Sequence, residues 1–272
     1  MKCVCLAMTG LLATVNCVSQ SLQRPIGLAY PGLSAYSKST DVFSVTANQA
    51  ALASAKQAAA GFYGERRFLL AGLSSYLASV VIPSGNGGFG CNLAYQGSLH
   101  YNNSSIGLAY GRDVGDKVSV GLQFNYRQVR IAGYGSASTL TAELGWILRL
   151  SSKLRTGMQL INPAGGTFGK TKERLPRTIS FGIGYDESED ISLAMEMSKE
   201  EDAAFNITTG IRYRIVKSLV LRAGFSSATT SPWICAGLSK GSMQWNISCS
   251  YHSQLGPTPG LSIIFQFKKK EA

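Results

Sequence analysis

The chain has 272 residues, with 26 Lys and Arg against 15 Asp and Glu and a formal net charge of +11. Charged residues make up only 15% and Gly reaches 30, while mean hydropathy is +0.06. No internal segment approaches the roughly 20 unbroken apolar residues of a spanning helix, which excludes a helical membrane protein. The hydropathy is nonetheless high for a soluble basic chain, and transmembrane β-barrels fall in that gap because each strand is apolar on one side only.

The first residues read as an export signal. Met1-Lys2 is a short positive region, and Cys3 to Val15 is apolar but too short to span. Cys17-Val18-Ser19 supplies small residues for cleavage after Ser19. A lipoprotein signal is the alternative, but it needs Leu or a similar residue where Thr14 stands. Cleavage would leave a charge of +10, Lys2 being lost, and three of the 6 cysteines: Cys91, Cys235 and Cys249. Their spacing matches no zinc pattern, and an odd number does not make a disulfide framework. They read as small apolar strand residues.

Residues 20–57 are expected to form an N-terminal periplasmic or hatch segment, residues 58–268 a barrel, and residues 269–272 a tail. Strands are expected near Ala58–Gly64, Leu69–Ile82 and Gly88–Gln96. After these the alternation becomes regular. Ile106, Leu108 and Tyr110 face one way against Gly107 and Ala109; Val118, Val120, Leu122, Phe124 and Tyr126 oppose Ser119, Gly121, Gln123 and Asn125. Successive strand side chains point to opposite faces, so one face is apolar and the other small or polar. The pattern recurs through Leu140–Leu150, Ile179–Tyr185, Ile191–Met197, Phe205–Ile215, Met243–Tyr251 and Leu261–Phe267.

A soluble sandwich or a membrane barrel could produce this period. Gly, Ser and Asn dominate the polar face here, which suits a crowded, curved interior. The apolar face often ends in an aromatic, as at Tyr110, Tyr126, Trp146, Tyr185, Tyr213 and Tyr251, as expected of a membrane-interface girdle. The fold class is therefore all-β: a closed antiparallel transmembrane barrel of about fourteen strands. Short turns are expected at Asp113–Asp116, Ser151–Lys153, Asp186–Asp190, Val216–Ser218 and Lys240–Ser242, alternating strictly with longer connections at Arg130–Ala137, Asn162–Arg177, Lys199–Ala204, Ser226–Pro232 and Ser253–Pro259. Short turns belong on the periplasmic side and longer loops outside. The basic residues are scattered at loop tips and on polar strand faces, without a stripe. This argues against nucleic acid and for outer-membrane lipid, an anionic lipid surface, or an acidic ligand as the partner.

Asn48-Gln49-Ala50-Ala51-Leu52-Ala53, just before the first strand, resembles the N-P-A-x-L-A hallmark of FadL-like barrels, which include the Bacteroidetes PorV/PorQ-type proteins. The Ile106–Arg112 strand, the Asp113–Lys117 turn, Ile211–Tyr213 leading into Leu219–Gly224, and Leu255–Thr258 before the last strand support the likeness across the mature chain. The resemblance implies a fourteen-stranded barrel with an N-terminal hatch in its lumen. It also implies either passage of hydrophobic compounds or a type IX secretion role engaging secretion-system components or cargo proteins. Gln49 stands where the hallmark has Pro. By itself, Asn48–Ala53 also reads as a helical turn capped by Asn48.

No constellation of residues suggests catalysis, a cofactor or a metal. The chain has two histidines, His100 and His252, and neither is at a spacing that binds it to a Ser or an acid. A lipid-modifying barrel enzyme, with His252 near the mouth, is the rival class. Gly85–Gly90 is a glycine-rich turn with no helix pattern after it. Glu143, Arg149, Arg155, Glu196, Arg212, Arg214 and Arg222 should point into the lumen. They read either as a basic ladder selecting anions or as a packed interior with Glu143 and Glu196 as counter-ions.

Overall fold

The computed structural model describes residues 29–169 and 173–267. The expected export signal and the expected tail at residues 269–272 lie outside them. Alternating patterns become strands wherever one face can meet lipid and the other the bore. These are β1 (Ala59–Arg66), β2 (Ser74–Ser84), β3 (Gly87–Gly97), β4 (Tyr101–Val114), β5 (Val118–Ile131), β6 (Gly135–Arg149) and β7 (Leu154–Ile161). A small hairpin follows, β8 (Thr167–Phe168) with β9 (Glu173–Arg174). Then come β10 (Thr178–Asp186), β11 (Ile191–Glu200), β12 (Asn206–Val216), β13 (Leu219–Ser226), β14 (Ser231–Lys240), β15 (Met243–His252) and β16 (Gly256–Gln266). All but β8 and β9 join one closed antiparallel barrel, sealed where β1 pairs with β16.

The alternation assigns the two faces. Phe124, expected to face lipid, is 60% exposed, whereas Gln159 on the inner face is 0% exposed. Exposed aromatics gather towards the two ends of the wall: Phe89, Tyr110, Trp146, Tyr185 and Tyr213 near the short turns, Tyr76, Tyr126 and Tyr251 near the other end. Apolar side chains on the outside gain their burial from acyl chains, so the protein's own core must lie elsewhere.

That core is inside the bore. The chain before β1 forms the short helix α1 (Ala29–Ser34), a 3-10 turn at Ser44–Thr46 and another at Gln49–Ser54. Val42, Phe43, Val45 and Leu52 from this segment pack with Tyr63, Leu77, Val81 and Ile264 of the inner wall. Tyr36, Ala50 and Ala51 pack with Ile147, and Tyr30 and Leu33 with Trp233 and Cys235. The segment is thus a hatch that fills the lumen.

Several sequence expectations need correction. The strand expected from Leu69 begins at Ser74. Before it, Phe68 (φ 53°) and Leu69 (φ 60°) take left-handed conformations that break extension. The connection expected at Arg130–Ala137 is zipped into the β5–β6 ladder as far as Ile131 opposite Gly135, with Gly133 and Gly135 at positive φ in the tight turn. Similarly, β16 already begins at Gly256, inside the connection expected at Ser253–Pro259. The strict alternation of short and long connections therefore fails. On the outer side, 98–100, 132–134 and 253–255 are as tight as the periplasmic turns, while 162–177 is long and carries β8 and β9.

Candidate functional site

The site is the contact between hatch and bore. Asn48 has extended backbone, and its Oδ1 accepts from Ala50 N at 3.0 Å, capping the 3-10 turn. Its Nδ2 donates to the backbone oxygens of Trp146 (3.3 Å) and Met158 (3.1 Å) in the wall. The two readings of Asn48–Ala53, cap and hatch, coincide in one side chain. Ala50, Ala51 and Leu52 are buried and Ala53 is half-buried.

Close approach is possible because the facing wall is glycine. Gly111, Gly121 and Gly145 are successive cross-strand partners on β4, β5 and β6. A Cβ on Gly121 would sit 2.3 Å from the carbonyl carbon of Gln49, and one on Gly145 2.3 Å from Asn48 Oδ1. Real Cβ atoms do not come that close, so the inner-face glycines are the mould of the hatch backbone.

One step towards the outer mouth, a single carboxylate gathers the polar network. Glu143 Oε2 accepts from Gln49 Nε2 at 2.6 Å and from Gln159 Nε2 at 3.2 Å. Its Oε1 accepts from Asn125 Nδ2 at 2.8 Å and from Arg127 Nη2 at 3.5 Å. The chain continues around the wall towards β2: Gln123 donates to Asn125, Asn92 to Gln123, and Ser79 to Asn92. Gln49, standing where the resembled hallmark has Pro, thus supplies an amide donor that Pro lacks. A buried carboxylate needs this many donors to offset its lost hydration.

The other sequence-named charges also face inward, but the counter-ion assignment changes. None of the five named arginines pairs with Glu143, whose cation is Arg127. Arg149 pairs with Asp113 at 2.9 Å near the short-turn end. Arg214 meets Asp190 (2.7 Å) and Glu189 (3.2 Å) in the next turn. Arg155 Nη1 donates to Ser37 O at 2.9 Å, and on the adjoining strand Asp186 Oδ2 accepts from Lys38 N at 3.0 Å, so both grip the hatch backbone. Arg222 lies over the Tyr30 ring, 4.7 Å from its centroid, and its Nη1 donates to Asn246 Oδ1 at 3.3 Å. Arg212 Nη1 donates to Glu189 O. Glu196 is buried on the rung of Gly182 and Thr208. Sequence reading missed Arg127, Gln159 and Asp186. The parity that placed Asn125 inward also places Arg127 there.

The histidines are used in turns. His252 Nδ1 accepts from Gln254 N (3.2 Å) and Leu255 N (3.3 Å), and its ring stands edge-on to Phe68. His100 N donates to Ser98 Oγ. Cys235 is buried on the inner face of β14, and Cys91 and Cys249 are half-buried.

No protein-family model matches the sequence, and no curated protein matches it. Solved structures match the fold. The Pseudomonas putida toluene transporter TodX superposes with a TM-score of 0.64 at 10% identity, covering 85% of this chain and 95% of that one. The Ralstonia pickettii toluene transporter TbuX gives 0.62 at 11%, covering 84% and 94%. A Pseudomonas aeruginosa FadL homologue gives 0.59 at 12%, covering 84% and 94%. Identities this low carry the architecture alone. With the lipid-facing band and the hatch in its bore, this chain is a closed fourteen-stranded transmembrane β-barrel of FadL-like fold.

Proposed function

We propose that this barrel works closed, engaging other proteins at the cell surface in the manner of the PorV/PorQ-type secretion proteins it resembles. The observation that carries this reading is the filled bore: glycines meet the hatch backbone, and Glu143 ties the hatch residue Gln49 to three wall side chains. A barrel stoppered in this way offers its rim. The outer rim is apolar: Leu99 is 89% exposed and Tyr134 91%, with Leu69, Leu70 and Leu255 exposed at the adjoining connections and Phe205 across the rim. Exposed apolar groups clustered beyond a lipid band favour protein contact. No catalytic role is included. The test is crosslinking in native membranes, comparing wild type with Leu99→Ser/Tyr134→Ser. A partner captured by wild type and lost from the variant supports the reading. Capture unchanged in the variant refutes it, as does steady conductance of the purified protein in planar bilayers.

A second reading, passage of small hydrophobic compounds, is favoured by two observations. The fold is shared with toluene transporters. An apolar groove of about 690 Å³ on the outer face, lined by Ile183, Leu193, Met195 and Phe225, also touches Ala194 and Gly210 of the inner wall. Such passage requires the hatch to move. Glu143→Gln, which weakens the hold on Gln49, should then raise toluene uptake into proteoliposomes.

A further inference from the structure

Two adjacent rungs of the inner wall hold an unusual set of side chains. One runs Ser192–Arg212–Arg222–Cys235, the next Ala194–Gly210–Gly224–Trp233, each residue directly opposite the following one across β11 to β14. Arg212 and Arg222 are therefore cross-strand partners, an arrangement in which like charges repel. The second rung is small except for Trp233, whose indole lies over Gly210 and Gly224. Tyr30 and Leu33 of α1 close the space from the bore side and leave a cavity of about 30 Å³.

The residues around this cavity bring donors without acceptors. Arg212 Nε, Arg222 Nε and Trp233 Nε1 are buried and have no hydrogen-bond partner. Arg222 is only 8% exposed and Trp233 6%. Each guanidinium has its other end in use: Arg222 on Asn246, Cys235 and the Tyr30 ring, Arg212 on Glu189 O. No carboxylate lines the cavity. Asp41 attracts Arg222 from outside that lining without forming an ion pair with it: its Oδ1 is held by Phe43 N, Ser44 N and Ser44 Oγ, and its Oδ2 is buried without a partner. Asp186 and Asp190 likewise attract Arg212 from outside the lining. Two facing guanidiniums, that of Arg222 buried and that of Arg212 half-buried with its Nε inside, and a buried indole N–H form an electrostatic arrangement that a negative ion completes.

We propose that this cavity binds one small anion of halide size between Arg212, Arg222 and Trp233, with α1 packed across it. Size sets the class. A volume near 30 Å³ is roughly two water-probe spheres, which admits chloride or bromide and excludes sulfate and larger anions. The bound ion would offset one of the pair's two positive charges and tie α1 to β12 and β13. The inference stands apart from the secretion and transport readings, because it is read by ion binding and not by capture or flux.

The test uses the whole protein in detergent. Thermal unfolding is followed in sodium chloride, bromide, sulfate and gluconate at matched ionic strength, and crystals grown in bromide are measured at the bromine edge. Chloride and bromide should raise the Tm saturably, by about 5–10 °C over gluconate at a hundred times Kd, and sulfate should not. An anomalous peak should lie between Arg212 and Arg222. Arg212→Gln should abolish the halide-specific shift while leaving Arg222 stacked on Tyr30. Trp233→Phe, which keeps a ring over Gly210 and Gly224, should raise the half-saturating concentration at least about tenfold. Since each variant is compared with itself between salts, a loss of basal stability does not blur the result. Equal Tm in all four salts, as two waters in the cavity would give, overturns the proposal. So does a bromide peak elsewhere, or a halide shift unchanged in Arg212→Gln.

Discussion

The hatch meets two different walls. Towards β4–β7 it presents backbone and short polar side chains to glycines, and one carboxylate takes up four donors. Towards β11–β14 it presents Tyr30 and Leu33 to two arginines and a tryptophan whose N–H groups outnumber their acceptors. The first wall is closed by shape and by a carboxylate whose donors are all engaged, with the Gln49 side-chain carbonyl oxygen left over against Gly145, so it fixes the hatch in one position. The second is closed by packing and has charge to spare, so it is the side on which an added ion changes the energetics.

The largest effect should come from the glycine mould. Gly121→Val places side-chain atoms on the Gln49–Ala50 backbone, which cannot retreat. The variant should lose the compact, heat-modifiable band in unboiled gels or release its N-terminal segment to protease. Gly210→Ala on the opposite wall meets side chains first, the tip of Leu33 at 2.4 Å and the Trp233 ring at 2.9 Å, and the Leu33 tip is able to shift. Its cost should stay within about 1–3 kcal/mol, read from the unfolding midpoint. If both variants behave alike, the contrast between the walls is wrong.

Glu143→Leu should follow, at about 3–5 kcal/mol, because Gln49, Asn125, Arg127 and Gln159 all lose their acceptor. Glu143→Gln retains one carbonyl oxygen and should lose clearly less in denaturant titration. Arg149→Met breaks a pair that is partly open to water near the short-turn end, and should cost only about 1 kcal/mol.

The smallest effect concerns pH. Burial pushes the Asp41 carboxyl above its ordinary range, outweighing the attraction of Arg222 and the bonds from Phe43 and Ser44. The folded protein therefore holds this proton more tightly than the unfolded chain does. The corresponding stability is complete below the unfolded value, near 4, and is lost as pH rises through the raised folded value. Asp41→Asn should gain on wild type as pH rises above about 4, until Asp41 is ionised in the fold. A difference in Tm that does not change with pH would show that Asp41 titrates normally.

Much of the barrel was legible because lipid enforces a period of two. Val118–Tyr126 could be oriented residue by residue before any partner was known. The stretch from Arg127 to Ser138 was not, because beyond the membrane both faces are polar: Ser104, Gln128 and Ser138 face one another across the ladders where the alternation fades. The hatch was legible as a motif but not as a set of contacts. Gln49 and Glu143 were each singled out, yet they lie 94 positions apart and nothing in either neighbourhood indicates the other. Pairing Arg212 with Arg222 requires the turn register, which shifts at the irregularity between Arg214 and Val216.

The connection between hatch and wall is short. The last 3-10 turn ends at Ser54 and β1 begins at Ala59, so a hatch that left its seat as a unit would stay within roughly 17 Å of tether from the strand that leads it. A tether of that length holds a local concentration of about millimolar or more. Resealing is then a unimolecular step, indifferent to dilution, and any process that needs the bore clear must keep supplying a competitor for the vacated surface.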